Sequence, residues 1–415
     1  MSDRSGARFR RVRLYSLQFL GTLVVVLLAL EAWARLFPPK DEVVWPLVQN
    51  PAVGTTFVPG SKVVFTNGLD FHVEEQVNEA GFLDRPLPPL AKPRGACRIA
   101  FVGDSFIEAA QVPIRQKVQV RVEELAKVRW PALEVEGMAV GFSGTGQLNQ
   151  LAYFDAFLRP RRPDVVVLVF VSNDFANNSS LLEAVRVGWH PDHTPRLFAR
   201  EPKPGAPEFQ PIDPAWQSHL LPRAIDDRPW LHARLHRASR FYRWVYAKLT
   251  LQYPGLAQRM GREPTEADRT MTRVASLKSS GSGFGGLLEG WDPARGPGID
   301  AMFREPDPLP PAFAQALRFT VFAFDAYKKR AAEDGFELVV LATHEIEGRL
   351  EARLRQMLGA KAIPYLAMRE FIGWRGGMKE QAHWRHDSHW SPQGHTWAAE
   401  QVLEHIAGQK LCGRS

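Results

Sequence analysis

The chain has 415 residues, of which 45% are hydrophobic and 23% charged, so it can bury a sizeable core and is not disordered as a whole. Its net charge of +7 is largely local, because five arginines and one aspartate give +4 within residues 1–14 and leave +3 for the remainder. This distribution does not favour a nucleic-acid partner.

An apolar segment follows this basic tail. Residues 15–37 contain the uncharged run FLGTLVVVLLAL (19–30) and are long enough to cross a bilayer as a helix. Trp33 suits a membrane interface, and arginine-rich flanks stay in the cytoplasm. The sequence therefore predicts a single-pass anchor in a bacterial-type inner (cytoplasmic) membrane, with the bilayer as a partner and the body periplasmic or extracytoplasmic. A cleaved signal peptide is the alternative, since Ala32-Trp33-Ala34 resembles a small-x-small cleavage site.

Residues 38–94 are rich in proline and contain short β-type runs, which indicates a membrane-proximal β-containing segment. Strand and helix patterns then alternate. The strand candidates, continuous and rich in β-branched residues, are CRIAFVG (97–103), LEVEGMAV (133–140), PDVVVLVFV (163–171), FELVVLATH (336–344) and AIPYL (362–366). The helix candidates between and after them are 115–128, 147–159, 312–334, 345–358 and 391–406. This alternation predicts a three-layer α/β/α fold with a mostly parallel sheet.

The alternation stops between residues 179 and 311, which indicates a large insertion: a lid, or a partly disordered segment. It contains one helix candidate, Leu231–Leu251. Its tryptophans, among them Trp216, Trp230, Trp244 and Trp291, could stack on sugar rings, although core or lid packing is the more common role of tryptophan.

Cys97 and Cys412 are the only cysteines. Two separate thiols are the favoured interpretation, and a disulfide in an oxidising compartment is the alternative.

Polar residues follow three of the predicted strands. The first strand ends in Gly103-Asp104-Ser105, and ligands of open α/β sheets bind at the carboxyl ends of the strands. The glycine-rich run GFSGTGQ (141–147) follows the second strand, and Asn173 follows the third. Asp387 lies two residues before His389, so a carboxylate and an imidazole can meet, as an activated serine requires.

These four sequence blocks are the Gly-Asp-Ser turn, the glycine-rich run, Asn173 and the Asp387/His389 pair. In this order and spacing, they resemble the blocks of the SGNH/GDSL hydrolase superfamily, over residues 95–178 and 312–408. The phrase VNEAGFLDRP (77–86) also resembles the lead-in of membrane-anchored members. The resemblance implies an SGNH-hydrolase-like, flavodoxin-like fold without a cofactor or a bound metal. This chain differs from the family pattern in two places. Ser172 precedes the asparagine where glycine is usual, and Asp-x-His-Trp replaces Asp-x-x-His, as in relatives of the alginate O-acetyltransferases.

The resemblance also implies a role for each residue. Ser105 would be the nucleophile, His389 the general base and Asp387 the group that orients the imidazole. The oxyanion hole would consist of the N–H groups of Ser105 and Gly144 with the amide of Asn173.

We therefore expect an exported serine esterase or O-acyltransferase whose partner is an O-acylated carbohydrate, such as a cell-envelope glycan, or a small ester. Two alternatives remain open. One is a non-catalytic glycan-binding or scaffold protein with the same fold. The other is a metal site formed by His383, His386 and His389 with Asp387.

Overall fold

The computed structural model describes residues 3–37, 43–224, 229–253, 264–281, 283–371 and 378–412. They belong to two compact units. The smaller unit contains Met1–Glu42 and Ile225–Thr265, and the larger unit contains Val43–Ala224 and Glu266–Ser415.

The strands of the described residues are β1 (Leu47–Asn50), β2 (Gly54–Phe57), β3 (Lys62–Thr66), β4 (His72–Gln76), β5 (Cys97–Gly103), β6 (Val135–Gly141), β7 (Val165–Phe170), β8 (Phe198–Lys203), β9 (Ala206–Gln210), β10 (Glu337–Ala342) and β11 (Tyr365–Ala367). The α-helices are α1 (Asp3–Leu36), α2 (Ser105–Glu108), α3 (Val118–Arg129), α4 (Gln147–Tyr153), α5 (Asp174–Asn177), α6 (Ser180–Val187), α7 (Trp230–Ala238), α8 (Arg240–Gln252), α9 (Glu266–Ser279), α10 (Phe284–Leu287), α11 (Ile299–Met302), α12 (Pro311–Asp334), α13 (Gly348–Gly359), α14 (Met368–Phe371), α15 (Met378–Ala382) and α16 (Pro392–Gly408).

Five parallel strands of the larger unit form one sheet in the order β11-β10-β7-β5-β6. Every residue of β5 and β7 is buried, because alternate side chains enter cores on opposite faces. Val166 and Leu168 pack on the side of α4, α12 and α13, whereas Val165 and Val167 pack on the side of α3 and α16. The predicted three-layer α/β/α fold is confirmed.

This strand order determines what surrounds the end of β5. The strand lies between β6 and β7, with Gly103 opposite Gly141 and Val102 opposite Leu168. Because the three strands are parallel, the loops that follow them emerge at the same edge of the sheet. The loops that begin after Gly103, Gly141 and Phe170 are therefore neighbours.

The segment before the sheet contains two antiparallel hairpins, β1–β2 and β3–β4. The lead-in that follows them is partly buried: Asn78 accepts from the N–H groups of Ala80 and Phe82, and Phe82 is in the core. The side chain of Arg85 pairs with both carboxylate oxygens of Glu123. These contacts join the segment to α3.

The stretch 179–311 contributes to both units. In the larger unit it forms α6, the antiparallel pair β8–β9 and the helices α9–α11. Trp291 is buried there and packs edge-on against Phe313 of α12. This tryptophan therefore packs in the core and is not available to stack on a sugar. Four-residue α10 and α11 lie within the part of the stretch that returns to α12.

The single helix predicted for Leu231–Leu251 is wrong, since α7 and α8 meet at Ser239. This residue has an extended conformation, and its hydroxyl accepts from the N–H of Tyr242, so it caps a second helix. In the smaller unit, Trp244 of α8 lies against Trp33 of α1. Within the described residues, Arg13–Leu36 is long and apolar enough to cross a membrane, although a signal sequence meets the same criterion.

The favoured interpretation of two separate thiols is also wrong, because Cys97 and Cys412 form a disulfide. After α16 the chain turns back, with the N–H of Leu411 donating to the carbonyl of Ile406, and the tail packs against the start of β5. Residues 315 apart in sequence thereby lie side by side. No local pattern in the sequence predicts that the C-terminal tail packs against the start of β5.

Candidate active site

Ser105 is the first residue of α2, directly after the turn that ends β5. Asp104 caps this short helix by accepting from the N–H of Phe106 at 3.0 Å, and its other oxygen lies 3.2 Å from Ser105 Oγ. Gly103 leaves no room for a side chain, since a Cβ there would lie 2.6 Å from Cγ1 of Ile107. The turn therefore needs glycine for close packing and presents the serine at the carboxyl end of the strand.

Ser105, His389 and Asp387 form a hydrogen-bonded chain. Ser105 Oγ lies 2.8 Å from His389 Nε2, and His389 Nδ1 lies 2.5 Å from Asp387 Oδ1. Because an ionised carboxylate can only accept, Nδ1 carries the proton and Nε2 accepts from the serine hydroxyl. The same carboxylate oxygen also accepts from the backbone N–H of His389 at 2.8 Å. The Asp-x-His spacing thus lets one carboxylate hold both the backbone and the ring of one histidine.

Packing fixes the segment that carries this histidine. His383 and Trp390 form a β-bridge on either side of it. The buried ring of Trp390 lies edge-on to Phe106, whose own ring is 4.9 Å from that of His389. Ser391 then caps α16 by accepting from the N–H of Gly394. The tryptophan of the Asp-x-His-Trp pattern is therefore the core residue that anchors the histidine beside the serine.

The charges around His389 stabilise the imidazolium that would form if its imidazole took up a proton. Burial disfavours the imidazolium of His389, but the hydrogen bond and the charge of Asp387, with the charges of Asp104 and Glu345, outweigh it and raise the pKa of His389 above its usual value. Burial also opposes the charge of Asp387, yet its hydrogen bonds with His389 lower the pKa of that carboxyl. Both shifts stabilise an imidazolium paired with a carboxylate.

Gly144 and Asn173 lie in the two loops that flank Ser105. Gly144 has φ of +68°, a backbone conformation that favours glycine. Asn173 is at the N-cap position of α5, but its side chain does not cap that helix, and within the described residues its buried Oδ1 has no hydrogen-bond partner. The side chain of Asn173 therefore does not act as a helix cap.

Arg196, which follows α6, holds the loop that contains Gly144. Its guanidinium donates to the carbonyl of Gly144 and, at 3.3 Å, to that of Ser143. The N–H and C=O of a trans peptide point in opposite directions, so a donor on the Ser143 carbonyl turns the N–H of Gly144 to the other side. The guanidinium itself lies over the rings of Phe142 and Trp189. The insertion thus supplies a residue that orients the glycine-rich loop.

Glu108 holds the same loop from α2. Its carboxylate accepts from the N–H of Ser143 at 2.9 Å and from the Ser143 hydroxyl at 2.7 Å. Burial raises the pKa of Glu108 to about 7 and lowers that of the neighbouring Lys117 to about 8. Lys117 in turn donates to the carbonyls of Leu83 and Glu108.

The hairpin β3–β4 contacts the histidine segment. The carboxylate of Asp70 accepts from the backbone N–H of His386 at 2.8 Å, and its other oxygen lies 2.9 Å from His386 Nδ1. Phe71 packs against Trp384 with 5.6 Å between ring centroids. The segment before the sheet therefore stabilises the loop between α15 and α16.

Sequence reasoning missed three of these residues, Asp70, Glu108 and Arg196. Each acts on a loop that is distant in the chain, so none belongs to a local pattern that marks the contact. Only Glu108 carried a signal, because it lies three residues after Ser105 at the start of a helix, on the same side as the serine.

The histidines near the site have separate partners. His386 binds Asp70, His389 binds Asp387 and Ser105, and His383 Nδ1 donates to the carbonyl of Trp384. Among the described residues they do not form a metal-ligand cluster with Asp387. The metal alternative is therefore not supported there.

A different group in the insertion, His193, Asp213 and His219, brings three ligand atoms within 4.8 Å. The rings of His193 and His219 are stacked, 13° from parallel with centroids 3.8 Å apart, so their in-plane lone pairs do not converge on one point. His193 Nδ1 lies 2.6 Å from Asp213 Oδ2. This geometry is that of a hydrogen-bonded pair with a second ring stacked upon it.

No protein-family model matches this chain, and no curated protein matches it in sequence. It is similar to solved structures at low identity. The acetyl xylan esterase AlAXEase is 11% identical, with 74% of this chain and 99% of that chain covered and a TM-score of 0.34. The lipase/acylhydrolase from Enterococcus faecalis is 11% identical, with 76% and 97% covered and a TM-score of 0.33. A two-domain esterase active on acetylated mannans, co-crystallised with mannopentaose, is 11% identical, with 75% and 49% covered and a TM-score of 0.33.

Proposed function

We propose that this protein is a membrane-anchored serine esterase or O-acyltransferase of the SGNH/GDSL type that acts through an acyl-Ser105 intermediate. The observation that carries the proposal is the hydrogen-bonded chain from Ser105 through His389 to Asp387. A serine hydroxyl becomes a nucleophile when an adjacent base is itself oriented by a third group, and all three are present here.

In the first half of the reaction His389 Nε2 takes the hydroxyl proton while Ser105 Oγ attacks the carbonyl carbon of an ester. The carbonyl π electrons move to the oxygen, which becomes the oxyanion. The tetrahedral intermediate then collapses, the bond to the leaving oxygen breaks, and the imidazolium gives its proton to that oxygen. The products are the free alcohol and acyl-Ser105, and Asp387 stays ionised throughout.

In the second half an acceptor hydroxyl gives its proton to His389 and attacks the acyl group. The second tetrahedral intermediate then collapses, the bond between the acyl carbon and Ser105 Oγ breaks, and His389 returns the proton to Oγ. With water as the acceptor the products are a carboxylic acid and free enzyme, and with a sugar hydroxyl the product is a new ester. The two reactions use the same triad and differ only in the acceptor.

The oxyanion is proposed to lie between the loops that follow β5, β6 and β7. The donors would be the N–H groups of Ser105 and Gly144 and the side-chain amide of Asn173. A preorganised donor of this kind typically contributes about 3–4 kcal/mol to transition-state stabilisation.

The proposed substrate is an O-acyl group, such as acetyl, on a carbohydrate of the cell envelope. The Asp387-x-His389-Trp390 pattern, which resembles that of alginate O-acetyltransferase-like proteins, supports this class. The apolar helix Arg13–Leu36, preceded by an arginine-rich tail, supports an extracytoplasmic location for the body.

The direct test is hydrolysis of a chromogenic acetyl ester by the full-length protein in detergent, with the Ser105→Ala variant beside it. We expect the variant to lose activity and to lose labelling by a fluorophosphonate. Ser61→Ala is the matched control, because Ser61 lies in the turn before β3 and its hydroxyl donates only to a nearby backbone carbonyl. Equal rates for wild type and Ser105→Ala would exclude a catalytic serine. Retained glycan binding without labelling would instead favour the scaffold alternative.

A second measurement distinguishes hydrolysis from transfer. Adding a soluble oligosaccharide to the assay should lower the yield of free acetate relative to released alcohol if a sugar hydroxyl accepts the acyl group. An unchanged ratio at every oligosaccharide concentration would identify the reaction with that acceptor as hydrolysis.

A further inference from the structure

The segment that forms α7 and α8 has an unusual composition. Between residues 228 and 262 there is no aspartate or glutamate. The basic residues of this stretch are Arg228, Arg234, Arg237, Arg240, Arg243, Lys248, Arg259 and Arg262. Its aromatic residues are Trp230, Phe241, Tyr242, Trp244, Tyr246 and Tyr253. Basic and aromatic side chains interleaved without acids are typical of segments that lie on anionic bilayers.

Contacts between the two helices make a hairpin of them. His232 Nδ1 lies 2.6 Å from the hydroxyl of Tyr242, and the rings of His232 and Tyr246 are 4.7 Å apart. His236 also contacts Tyr246. The helices are joined at Ser239, and we call the two termini away from this joint, the start of α7 and the end of α8, the open end of the hairpin.

Large apolar side chains are exposed at that open end. Trp230 is 66% exposed and Leu231 58% at the start of α7, and Tyr253 is 61% exposed just after α8. Leu249, in the last turn of α8, is exposed as well. The basic side chains of Arg234, Arg237, Arg243 and Lys248 are exposed along the same hairpin. Apolar exposure and positive charge therefore occur on one element.

Within the same unit, the joint of the hairpin is bound to the last turns of α1. Glu31 accepts from the hydroxyl of Ser239 at 2.7 Å and from the N–H groups of Arg240 and Phe241 at 3.2 and 3.1 Å. Arg35 donates to the carbonyl of Ala238 at 3.0 Å. A carboxylate at the N-terminus of a helix is stabilised by the helix dipole as well as by these bonds. These contacts fix the hairpin to one end of α1.

The length of α1 places that end at the bilayer surface. From Arg13 to Glu31 an α-helix rises about 27 Å, which is close to the thickness of about 30 Å of a bilayer's hydrocarbon core. If α1 crosses the membrane with its basic tail inside, Glu31 lies near the outer headgroups, and so does the hairpin bound to it.

We propose that the α7–α8 hairpin is a second membrane contact, which docks on an anionic phospholipid surface beside the anchor. The exposed apolar side chains at its open end enter the headgroup region, and the arginines pair with lipid phosphates. The proposal rests on the anchor that is part of the proposed function, and it does not depend on the chemistry of Ser105.

The test uses the full-length protein in lipid nanodiscs, with a fluorophore on a cysteine introduced in place of Trp230. The nanodiscs contain phosphatidylcholine alone or with phosphatidylglycerol, and a fraction of the lipid carries a nitroxide near the headgroup. We expect the nitroxide to quench the fluorophore at position 230, more strongly with phosphatidylglycerol present. The variant Arg234→Gln/Arg237→Gln/Arg243→Gln should lose that difference. Each cation near an anionic surface contributes about fivefold to binding, so three should change the ratio of docked to free hairpin about 100-fold.

Two further labelling positions make the outcomes distinguishable. Val128 is an exposed apolar residue between two basic residues of α3 and is the matched control, for which we expect little quenching. Val25, exposed in the middle of α1, reports the anchor itself when the nitroxide lies deep in the acyl chain. Quenching at Val25 without quenching at position 230 would overturn the hairpin proposal and leave the anchor intact. Absence of quenching at both would overturn both.

A polyanionic glycan is the other partner that such a surface could bind. Soluble sulfated dextran, added to nanodiscs of phosphatidylcholine alone, distinguishes the two. If it alters the fluorescence at position 230 while the anionic nanodiscs cause no nitroxide quenching, the hairpin binds glycan and the lipid proposal is wrong.

Discussion

At the scale of single residues, Asp387 has two tasks that usually fall to different groups. Its Oδ1 accepts from the backbone N–H of His389, which fixes the turn, and from Nδ1 of the same residue, which fixes the ring. A neutral amide could still accept from the backbone N–H. It could not stabilise the positive charge that develops on the imidazole, so the two tasks can be separated by substitution.

We expect Asp387→Asn to fold normally and to lower kcat by about 1,000- to 10,000-fold, since it removes the charge that stabilises the imidazolium. The wild-type acid limb of kcat/KM should lie above pH 6.5, because the base must be neutral and its pKa is raised. In the variant that limb should move to lower pH. Asp70→Asn is the matched control, as Asp70 binds His386 in the same segment. Equal losses in the two variants would mean that Asp387 acts only through the fold of the segment.

Glu108 is a buried carboxyl whose pKa of about 7 makes the stability depend on pH. The unfolded chain releases this proton near pH 4.5, whereas the folded protein retains it to about pH 7, so folding loses stability as the pH rises between these values. The full cost is about 3 kcal/mol above pH 7. Glu108→Gln keeps an acceptor for the N–H of Ser143 and a donor for its hydroxyl, and it lacks the titration.

We therefore expect the thermal stability of Glu108→Gln to exceed that of wild type increasingly from pH 5 to pH 8, as measured by Tm. The exposed Glu124, in α3, provides the control, because Glu124→Gln changes no buried contact. A constant Tm difference across this range would show that Glu108 is not desolvated in solution.

At the scale of elements, the loop between β6 and α4 is held from two directions. Glu108 of α2 binds the N–H and the hydroxyl of Ser143, and Arg196 from the insertion binds the carbonyls of Ser143 and Gly144. The loop that would supply the proposed oxyanion donor is thus fixed by one residue of α2 and by one residue of the insertion. This gives the insertion a structural connection with the site without any need for a moving lid.

Arg196→Ala should lower kcat at least about tenfold with little change in KM, because the N–H of Gly144 would lose its orientation in the transition state. Arg273→Ala is the control: Arg273 is another buried arginine of the insertion and donates to the carbonyls of Val185 and Arg186, at the end of α6. It should lower Tm without lowering kcat. If both variants lose kcat in proportion to Tm, Arg196 has only a structural role.

The elements themselves were largely predictable from the sequence. The strands β5, β6, β7 and β10 are mostly apolar runs, and each begins and ends within two residues of its predicted bounds. Ser391 followed by Pro392 predicted the start of α16, because a helix cap is formed by residues that are adjacent in the sequence. Ser239 carries the same kind of signal for α8, but it lies inside an apparently continuous helical pattern that hides the break between α7 and α8.

Contacts between distant segments were not predictable in this way. Asp70 and His386 are separated by 316 positions, and Arg196 and Gly144 by 52. An isolated aspartate in a hairpin turn, or an arginine after a helix, has the same local pattern whether or not it binds such a partner. The triad was accessible because each member lies at the end of a strand or the start of a helix, and a parallel sheet gathers those positions.

At the scale of the whole molecule, the basic hairpin does not conflict with the predicted topology. Positive charge determines orientation when it lies in short loops close to the ends of a membrane span. Residues 228–262 follow the apolar helix by nearly 200 positions, so they do not count in that comparison. The five arginines before residue 15 do count, and they favour a cytoplasmic N-terminus.

The disulfide is the covalent connection between the two ends of the larger unit's α/β core. Cys97 starts β5 and Cys412 follows α16, so the bond lies at the amino end of the strand, whereas Ser105 lies at its carboxyl end. Seven residues of strand separate the two by about 20 Å. The bond should therefore affect the stability of the fold and not the chemistry of the site.

Reduction of the full-length protein in detergent should lower the free energy of unfolding by about 2–5 kcal/mol, because the bond restricts the unfolded chain over a long loop. Below the new unfolding transition, hydrolysis of the acetyl ester should proceed at the wild-type rate. The variant Cys97→Ser/Cys412→Ser should show the same lower stability with or without reductant, which separates the bond from any other effect of the reagent. A loss of kcat at a temperature where the reduced protein is still folded would contradict this. It would mean that the tail carried by Cys412 also positions α16 and, through it, His389.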